Sequence, residues 1–437
     1  MKTTTVREEA PESTRRRTLW RNSAFMLLWS GQSVSSLGTA ITQTAYPLLV
    51  WDISHSAALV GLVGGINTLP YLFLSLFVGA LIDRWNRKRV MIICDAGRAL
   101  NLLTLLVSLL SGHLTTWQIC LNALFEGIFY VFFNLAEVSC LPRVVSKEQL
   151  PLATSQNEAT MGTTTLIGPA LGGALYGFFR FLPFLADAIS YTVSVLTLSL
   201  IRVPFQEQRQ ASRRRLLVEI REGLSWLWNQ PVLRFMAILT GGLNFMSAGL
   251  LPVLVVLVKQ AHGSSLLYGT ILTIGGIGAI VGSLLGAPLQ KRFRLGPLVV
   301  CILWANALLW PLYALAPNPW LLGVISACIF FWGPIFNVAQ LSYRLALIPD
   351  QLQGRVNSVY RLLAFGFQPL GWALTGVALQ WLQAVPTIFL LSAVGLLLAI
   401  LASINPHVIN AGRTKQGGLH HDIENKERDR TADNEDQ

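Results

Sequence analysis

Twelve apolar runs, most of them twenty or more residues long and nearly free of charge, succeed one another along this sequence. They fall at about 24–50, 57–82, 89–111, 116–140, 153–178, 182–203, 232–258, 267–289, 296–316, 319–343, 356–380 and 385–405. A bilayer core is crossed by ~20 apolar residues in a helix. Inside it every backbone N–H and C=O must be satisfied within the segment or in a closed barrel. Runs of this length therefore predict an all-α integral membrane protein with twelve transmembrane helices. Only 13% of the residues are charged, against about 25% in soluble chains, and those charges sit between the runs.

The formal net charge is +11. Its distribution argues against nucleic-acid binding, because the basic residues alternate between loops. If the N-terminus is cytoplasmic, the inner loops hold Arg84, Arg87, Lys88 and Arg89, then Arg143 and Lys147, a basic cluster between Arg202 and Arg221, then Lys291, Arg292, Arg294, Arg344 and Arg355. The outer loops hold only Arg180 and Lys259. Excess Lys and Arg marks the cytoplasmic side, so both termini are expected inside, in a cell membrane. The five cysteines lie in or beside apolar runs with no CxxC spacing, and read as small core residues. No cleaved signal peptide is expected after the polar, arginine-rich start.

The chain divides into a cytoplasmic tail (1–21), a six-helix bundle (22–203), a linker (204–231), a second six-helix bundle (232–405) and a polar tail (406–437) expected to be disordered. In the linker, Leu217, Ile220, Leu224 and Leu227 recur at helical spacing. That pattern fits an amphipathic helix on the membrane surface or a packing linker between the bundles. The halves repeat. Gly79, Asp83 and Arg84 end the second run as Gly286, Gln290 and Lys291 end the eighth; Gly168-Pro169 and Gly172 of the fifth have a weaker echo in Pro369 and Gly371 of the eleventh. Two pseudo-symmetric six-helix bundles form the architecture of a rocking transporter.

The run from Gly79 through Asp83, Arg84, Arg87 and Lys88 to Arg89 resembles the loop 2–3 signature of the major facilitator superfamily, with Asn86 where a second glycine is usual. Together with Asp95, Arg98, Leu141-Pro142, Gly168-Pro169 and Gly354-Arg355, it is similar to the branch containing macrolide efflux proteins and enterobactin exporters. The resemblance implies a gate. By that resemblance Asp83 would face the N-terminus of a helix in the other bundle, near Val356, where free N–H groups carry partial positive charge, and Arg84, Arg87 and Lys88 would pair with carboxylates such as Glu137. The alternative is that these basic residues only obey the positive-inside rule. Gly168, Pro169, Gly172 and Gly173 resemble the antiporter signature, with Thr164 where a glycine is expected; ordinary close helix packing explains the same residues.

Five acidic residues lie inside the runs: Asp95, Glu126, Glu137, Glu158 and Asp187. Insertion of Asp, Lys or Arg at a helix centre costs ~2.5–3.5 kcal/mol, so such residues are functional or paired. Asp187 lies near the outer end of its run, Asp95, Glu158 and Glu137 toward the cytoplasmic ends, and Glu126 far from both. Glu126 has no basic residue within a helical turn and shares a face with Tyr130, Phe133 and Glu137. It is the first candidate for a proton carrier or cation partner, with Asp95 and Glu158 behind it. Asp95 and Arg98, at i and i+3, read as a neutralising pair. In the superfamily the first, fourth, seventh and tenth helices line the cavity. Here they offer Gln32, Ser36, Thr39 and Gln43; Tyr130; Asn244 and Ser247; and Phe330, Asn337 and Gln340.

The expected function is a secondary active transporter, a proton-coupled exporter of small amphipathic molecules of drug or siderophore type. An importer or lipid translocator uses the same fold. A membrane enzyme, a channel or a receptor fits less well. The six histidines lie outside the runs, there is no HExxH, and no G-x-x-x-x-G-K-[ST] loop marks a nucleotide-driven pump. No cofactor or metal is expected. The expected partners are the bilayer, a small-molecule substrate and protons or another coupling ion, the protein acting as a monomer.

Overall fold

The computed structural model describes residues 19–82, 84–146, 149–202, 216–349 and 352–411. Asp83, Lys147, the arginine cluster at 209–215 and the tail after 411 lie outside the described residues. The described part is almost wholly helical. The N-terminal helices are α1 (Ser23–Ser54), α2 (Ala57–Ile82), α3 (Arg87–Leu110), α4 (Thr116–Val144), α5 (Leu150–Phe178) and α6 (Leu182–Leu200). After α7 (Leu216–Trp228) come α8 (Pro231–Ala248), α9 (Leu250–Gln260), α10 (Ser265–Arg292), α11 (Leu295–Leu309), α12 (Leu312–Leu315) and α13 (Pro319–Leu347). The chain closes with α14 (Gln353–Gly366), α15 (Gln368–Leu382), α16 (Ala384–Ile404) and α17 (Pro406–Ile409).

Ten helical stretches are long and apolar enough to cross a membrane, with α8–α9, α11–α12 and α14–α15 each counted as one. The helices α1 and α5 are of membrane-spanning length but more polar, which brings the set to the twelve spans expected. Their hydroxyls spend themselves inside the fold: Ser33 and Thr44 donate to carbonyls four residues back, and Thr160 and Thr163 do the same in α5. Three spans are broken near a proline. Pro252, Pro311 and Pro369 follow the breaks, and proline removes one helical hydrogen bond and crowds the carbonyl four residues back.

Helices of alternating direction carry the described chain ends, near Leu19 and Ala411, to one face, called here the terminal face. Within the first half, α1 packs on α5 and α6, α2 on α4, and α3 on α4 and α6; within the second, α10 packs on α13 and α11 on α16. The halves meet along two seams, α2 against α15 and α5 against α10. The α7 helix lies against α14, with Gly223 and Leu227 buried, Glu222 paired to Arg355 (2.5 Å), and Leu224 and Trp228 exposed.

The two seams are built alike. A Cβ on Gly269 of α10 would collide with the Pro169 carbonyl of α5, and a Cβ on Gly65 of α2 would stand 3.0 Å from the Pro369 carbonyl of α15. A few residues on, Gly172 meets the Ile41 carbonyl of α1, and Gly371 meets the Phe245 carbonyl of α8. Small residues let backbones approach this closely. The echo between the fifth and eleventh spans is thus a repeated contact geometry. Each proline carbonyl faces the opposite half, and each glycine faces the first helix of its own.

Candidate substrate and coupling site

A cavity of about 540 Å³ opens between the halves. Its walls come from α1 to α4 and α6 on one side, and from α9, α14 and α15 on the other. The charged wall centres on Arg98. This buried guanidinium binds Glu126 through Nη2 (2.5 Å) and Nε (2.7 Å) and stands 3.8 Å from Asp95. Its plane stacks over the Tyr191 ring (4.2 Å), and Tyr191 Oη donates to Glu126 (3.2 Å). Asp95 accepts from Ser194 (2.5 Å), itself the acceptor for Gln32 (3.3 Å), and Thr39 bonds Tyr191 (3.0 Å).

This network corrects two expectations. Glu126 is not a carboxylate without a fixed cation: Arg98, on the neighbouring helix, holds it. The neutralising partner of Arg98 is chiefly Glu126, and Asp95 is the more distant one. One Glu126 oxygen, Oε2, is buried without a hydrogen-bond partner.

The candidates from sequence divide. Thr39, Gln43, Glu126 and Tyr130 line the cavity. Asn244, Phe330 and Asn337 line a second pocket of about 280 Å³ inside the other half. Gln32 is drawn into the hydrogen-bond network; Gln340 is buried in α13 with its Oε1 unpartnered. Ser36 and Glu158 line neither pocket, and Glu158 is exposed on α5. Arg361 lines the cavity, and among the described residues it makes no ion pair. Sequence reasoning did not place Asp187, Tyr191, Asn67, Asn101, Asn122 or Trp372 in the cavity wall, and all six line it.

Of the gate residues, Asp83 lies outside the described residues. Space around Gly79 is open: a Cβ there would meet nothing within 4 Å. Lys88 does not pair with Glu137. It donates to the Ser199 and Ile201 carbonyls (3.1 and 2.5 Å) at the C-terminal end of α6, where a cation complements the helix dipole. Glu137 makes no ion pair among the described residues. Arg84 is exposed, and Arg87 is half-buried at the start of α3.

The opposite face is tied shut. Asp52, at the end of α1, binds Lys259 of α9 (2.7 Å) and accepts from Tyr176 (3.0 Å), with Arg180 at 3.8 Å. Ser56 donates to Gln380 of α15 (3.1 Å). Of these contacts, Asp52–Lys259 and Ser56–Gln380 join the two halves, while Tyr176 and Arg180 hold Asp52 from within its own half. The halves also meet in a ring contact between Tyr71 and Phe365 (5.9 Å), both of which line the cavity.

Two half-molecules pseudo-symmetrically joined, a cavity between them with a few placed polar and charged groups, and closure at one face define a transporter of the major facilitator class. The chain belongs to the Transmembrane secretion effector family, whose profile matches residues 18–428. It is 27% identical to the multidrug efflux pump Tap of Mycolicibacterium fortuitum, over 89% of this chain and 97% of Tap. It is also 27% identical to the enterobactin exporter EntS of Citrobacter koseri, over 86% of this chain and 91% of EntS. A bacterial homologue of the lysosomal transporter Spinster, solved inward-facing and unoccupied, superposes with a TM-score of 0.70 at 13% identity, covering 91% of this chain and 98% of that one. A bacterial ferroportin homologue, solved inward-facing, gives 0.64 at 15% identity, covering 88% and 100%. The protein is a multi-pass membrane transporter.

Proposed function

We propose that the protein exports small amphipathic molecules, cationic ones foremost, in exchange for protons across the cell membrane, with both termini in the cytoplasm. The observation that carries this reading is Glu126. It lies in the cavity wall with one oxygen committed to Arg98 and the other buried and unpartnered. An arriving cation competes with Arg98 for this carboxylate, while Tyr130, Phe365 and Trp372 offer apolar surface to the rest of the ligand. Predominantly apolar walls with a few placed polar groups are what a drug-sized ligand needs. The kinship with an efflux pump and an exporter supports outward transport. In this reading the bundles 22–203 and 232–405 rock about the α2–α15 and α5–α10 seams. The gate at Gly79, Asp83 and Arg84 closes the terminal face when the other opens.

A second reading, an anionic or catechol-type substrate of siderophore size, is favoured by Arg361, a cavity cation with no carboxylate beside it among the described residues. One experiment separates the two. In inverted membrane vesicles Glu126→Gln is expected to slow uptake of ethidium by about tenfold or more, as loss of one charge-assisted bond implies, and to leave uncharged chloramphenicol near the wild-type rate. Equal slowing of both probes removes Glu126 as a cation ligand. Arg361→Gln impairing only an anionic probe supports the second reading. Collapse of the pH gradient is expected to stop accumulation of either.

A further inference from the structure

Three carboxylates stand in or against the charged wall, and they share one guanidinium. Glu126 and Asp95 take Arg98. The third, Asp187, has no cation: among the described residues no Lys, Arg or His lies within ion-pair distance of it. Its side chain is 1% exposed yet lines the cavity. It accepts from Ser190 (3.0 Å) one turn along α6. From α1 it meets Gly38, where a Cβ would stand only 2.6 Å from Asp187 Oδ1 and closer still to Ser190 Oγ. The charged and titratable groups facing it are Arg98 of α3, Glu126 of α4 and Tyr191 of its own helix. From α1 come Thr42 and Gly38, and α5 contributes no residue to the cavity wall.

We infer that Asp187, at the seam of α1 and α6, is the carboxyl group that takes up and releases the coupling proton. The inference rests on the proton-coupled reading above. It gives Glu126 and Asp187 separate tasks. With Arg98 balancing one charge, a proton on Asp187 lowers the negative charge of the wall and weakens a cation held at Glu126. A cation at Glu126 in turn stabilises the ionised Asp187 and favours proton release. Such mutual dependence is reciprocal by linkage and is what exchange requires. One O–H bond forms from cavity water when the cavity opens to one face, and the same bond breaks to cavity water when it opens to the other. The helix that touches Asp187 at Gly38 also carries Asp52 to the closed face, so protonation is felt by the element that opens.

Infrared difference spectra of the full-length protein in proteoliposomes, acid minus alkaline and without substrate, test this. Wild type is expected to show a protonated-carboxyl C=O band that Asp187→Asn abolishes, Glu126→Gln retains and Ser190→Ala shifts in frequency. In the same vesicles Asp187→Asn is expected to bind ethidium but to accumulate it no further than wild type does with the pH gradient collapsed. A band and a gradient-driven accumulation both unchanged in Asp187→Asn overturn the inference and leave proton coupling standing. So does loss of ethidium binding with the band intact. A wild-type protein with neither band nor gradient-driven accumulation defeats the proton-coupled reading itself. If Asp187→Asn does not insert, Asp187→Glu is the second variant: it must keep a band at altered frequency, and its absence counts against the inference.

Discussion

At the scale of single residues, Arg98 decides the charge state of the cavity wall. Its fork engages Glu126 through two nitrogens while its face stacks on Tyr191. Both contacts need the planar guanidinium, which lysine lacks. Arg98→Met leaves Glu126 and Asp95 without their cation, and breaking a buried pair from one side costs ~3–5 kcal/mol. Arg98→Met is therefore expected to lower the melting temperature in detergent markedly. Arg98→Lys should lose less stability but still lose ethidium transport. A melting temperature unchanged in Arg98→Met contradicts the pairing. The sequence placed Glu126 and Tyr130 on one face of α4, and both line the cavity, because a helical period maps residues of one helix onto each other. It did not indicate Arg98 as partner, because i, i+3 spacing offers Asp95 and only the packing of α3 on α4 brings Glu126 within reach. Asp187 was set aside for the same reason: distance from the helix end was read, but not how far the cavity extends toward it.

At the scale of elements, the seams carry the motion. The antiporter-like residues are divided between two neighbours, with Gly168 and Gly172 on α1 and Gly173 on α10. Gly269→Leu puts a side chain where the Pro169 carbonyl already stands. Overpacking of this kind costs ~1–3 kcal/mol, about a tenfold population change for each 1.4 kcal/mol. Because the strain exists only while this seam is closed, Gly269→Leu is expected to favour the state open at the far face. A cysteine at Gln43 should then react faster with a membrane-impermeant maleimide added from that side, and no acceleration would remove this seam from the gating contact. Spans and the repeat were legible because length, apolarity and paired glycines are local features; which helices pair across the seams was not, because that is set by packing. The breaks in three spans were not. Pro47, Pro70, Pro169, Pro288 and Pro334 sit inside unbroken helices, whereas Pro311 and Pro369 follow breaks. Proline alone does not distinguish the two; the packing around it does.

At the scale of the whole molecule, the described state is locked at the face away from the chain ends, and the lock has a definite chemistry. Asp52 is the last carboxylate of the first span, and Lys259 is one of the few basic residues of the outer loops. Tyr176, near the end of α5, adds a hydroxyl and Arg180, in the α5–α6 turn, a second cation, so the pair is partly shielded, with side chains 14% and 23% exposed. Shielded pairs are screened less by salt than exposed ones. The lock also explains why Asp52 escaped notice. In sequence it is one acid at a helix end, and its meaning lies in a residue more than two hundred positions away. Lys259→Met leaves Asp52 facing only Arg180 across the same half, so nothing charged draws α1 to α9. The population then shifts toward the far-open state, and external labelling of the Gln43→Cys reporter is expected to rise several-fold. Asp52→Asn acts in the same direction but less, because its amide oxygen is still placed to accept from Lys259 Nζ. Exchanging the charges, Asp52→Lys with Lys259→Asp, restores attraction between the helices while setting the introduced ammonium group beside Arg180. Labelling should therefore fall back only part of the way, and neutralising Arg180 in that background should complete the recovery. A charge exchange that labels as fast as Lys259→Met, with or without Arg180, would show that packing along the seams holds this face and that the ion pair does not.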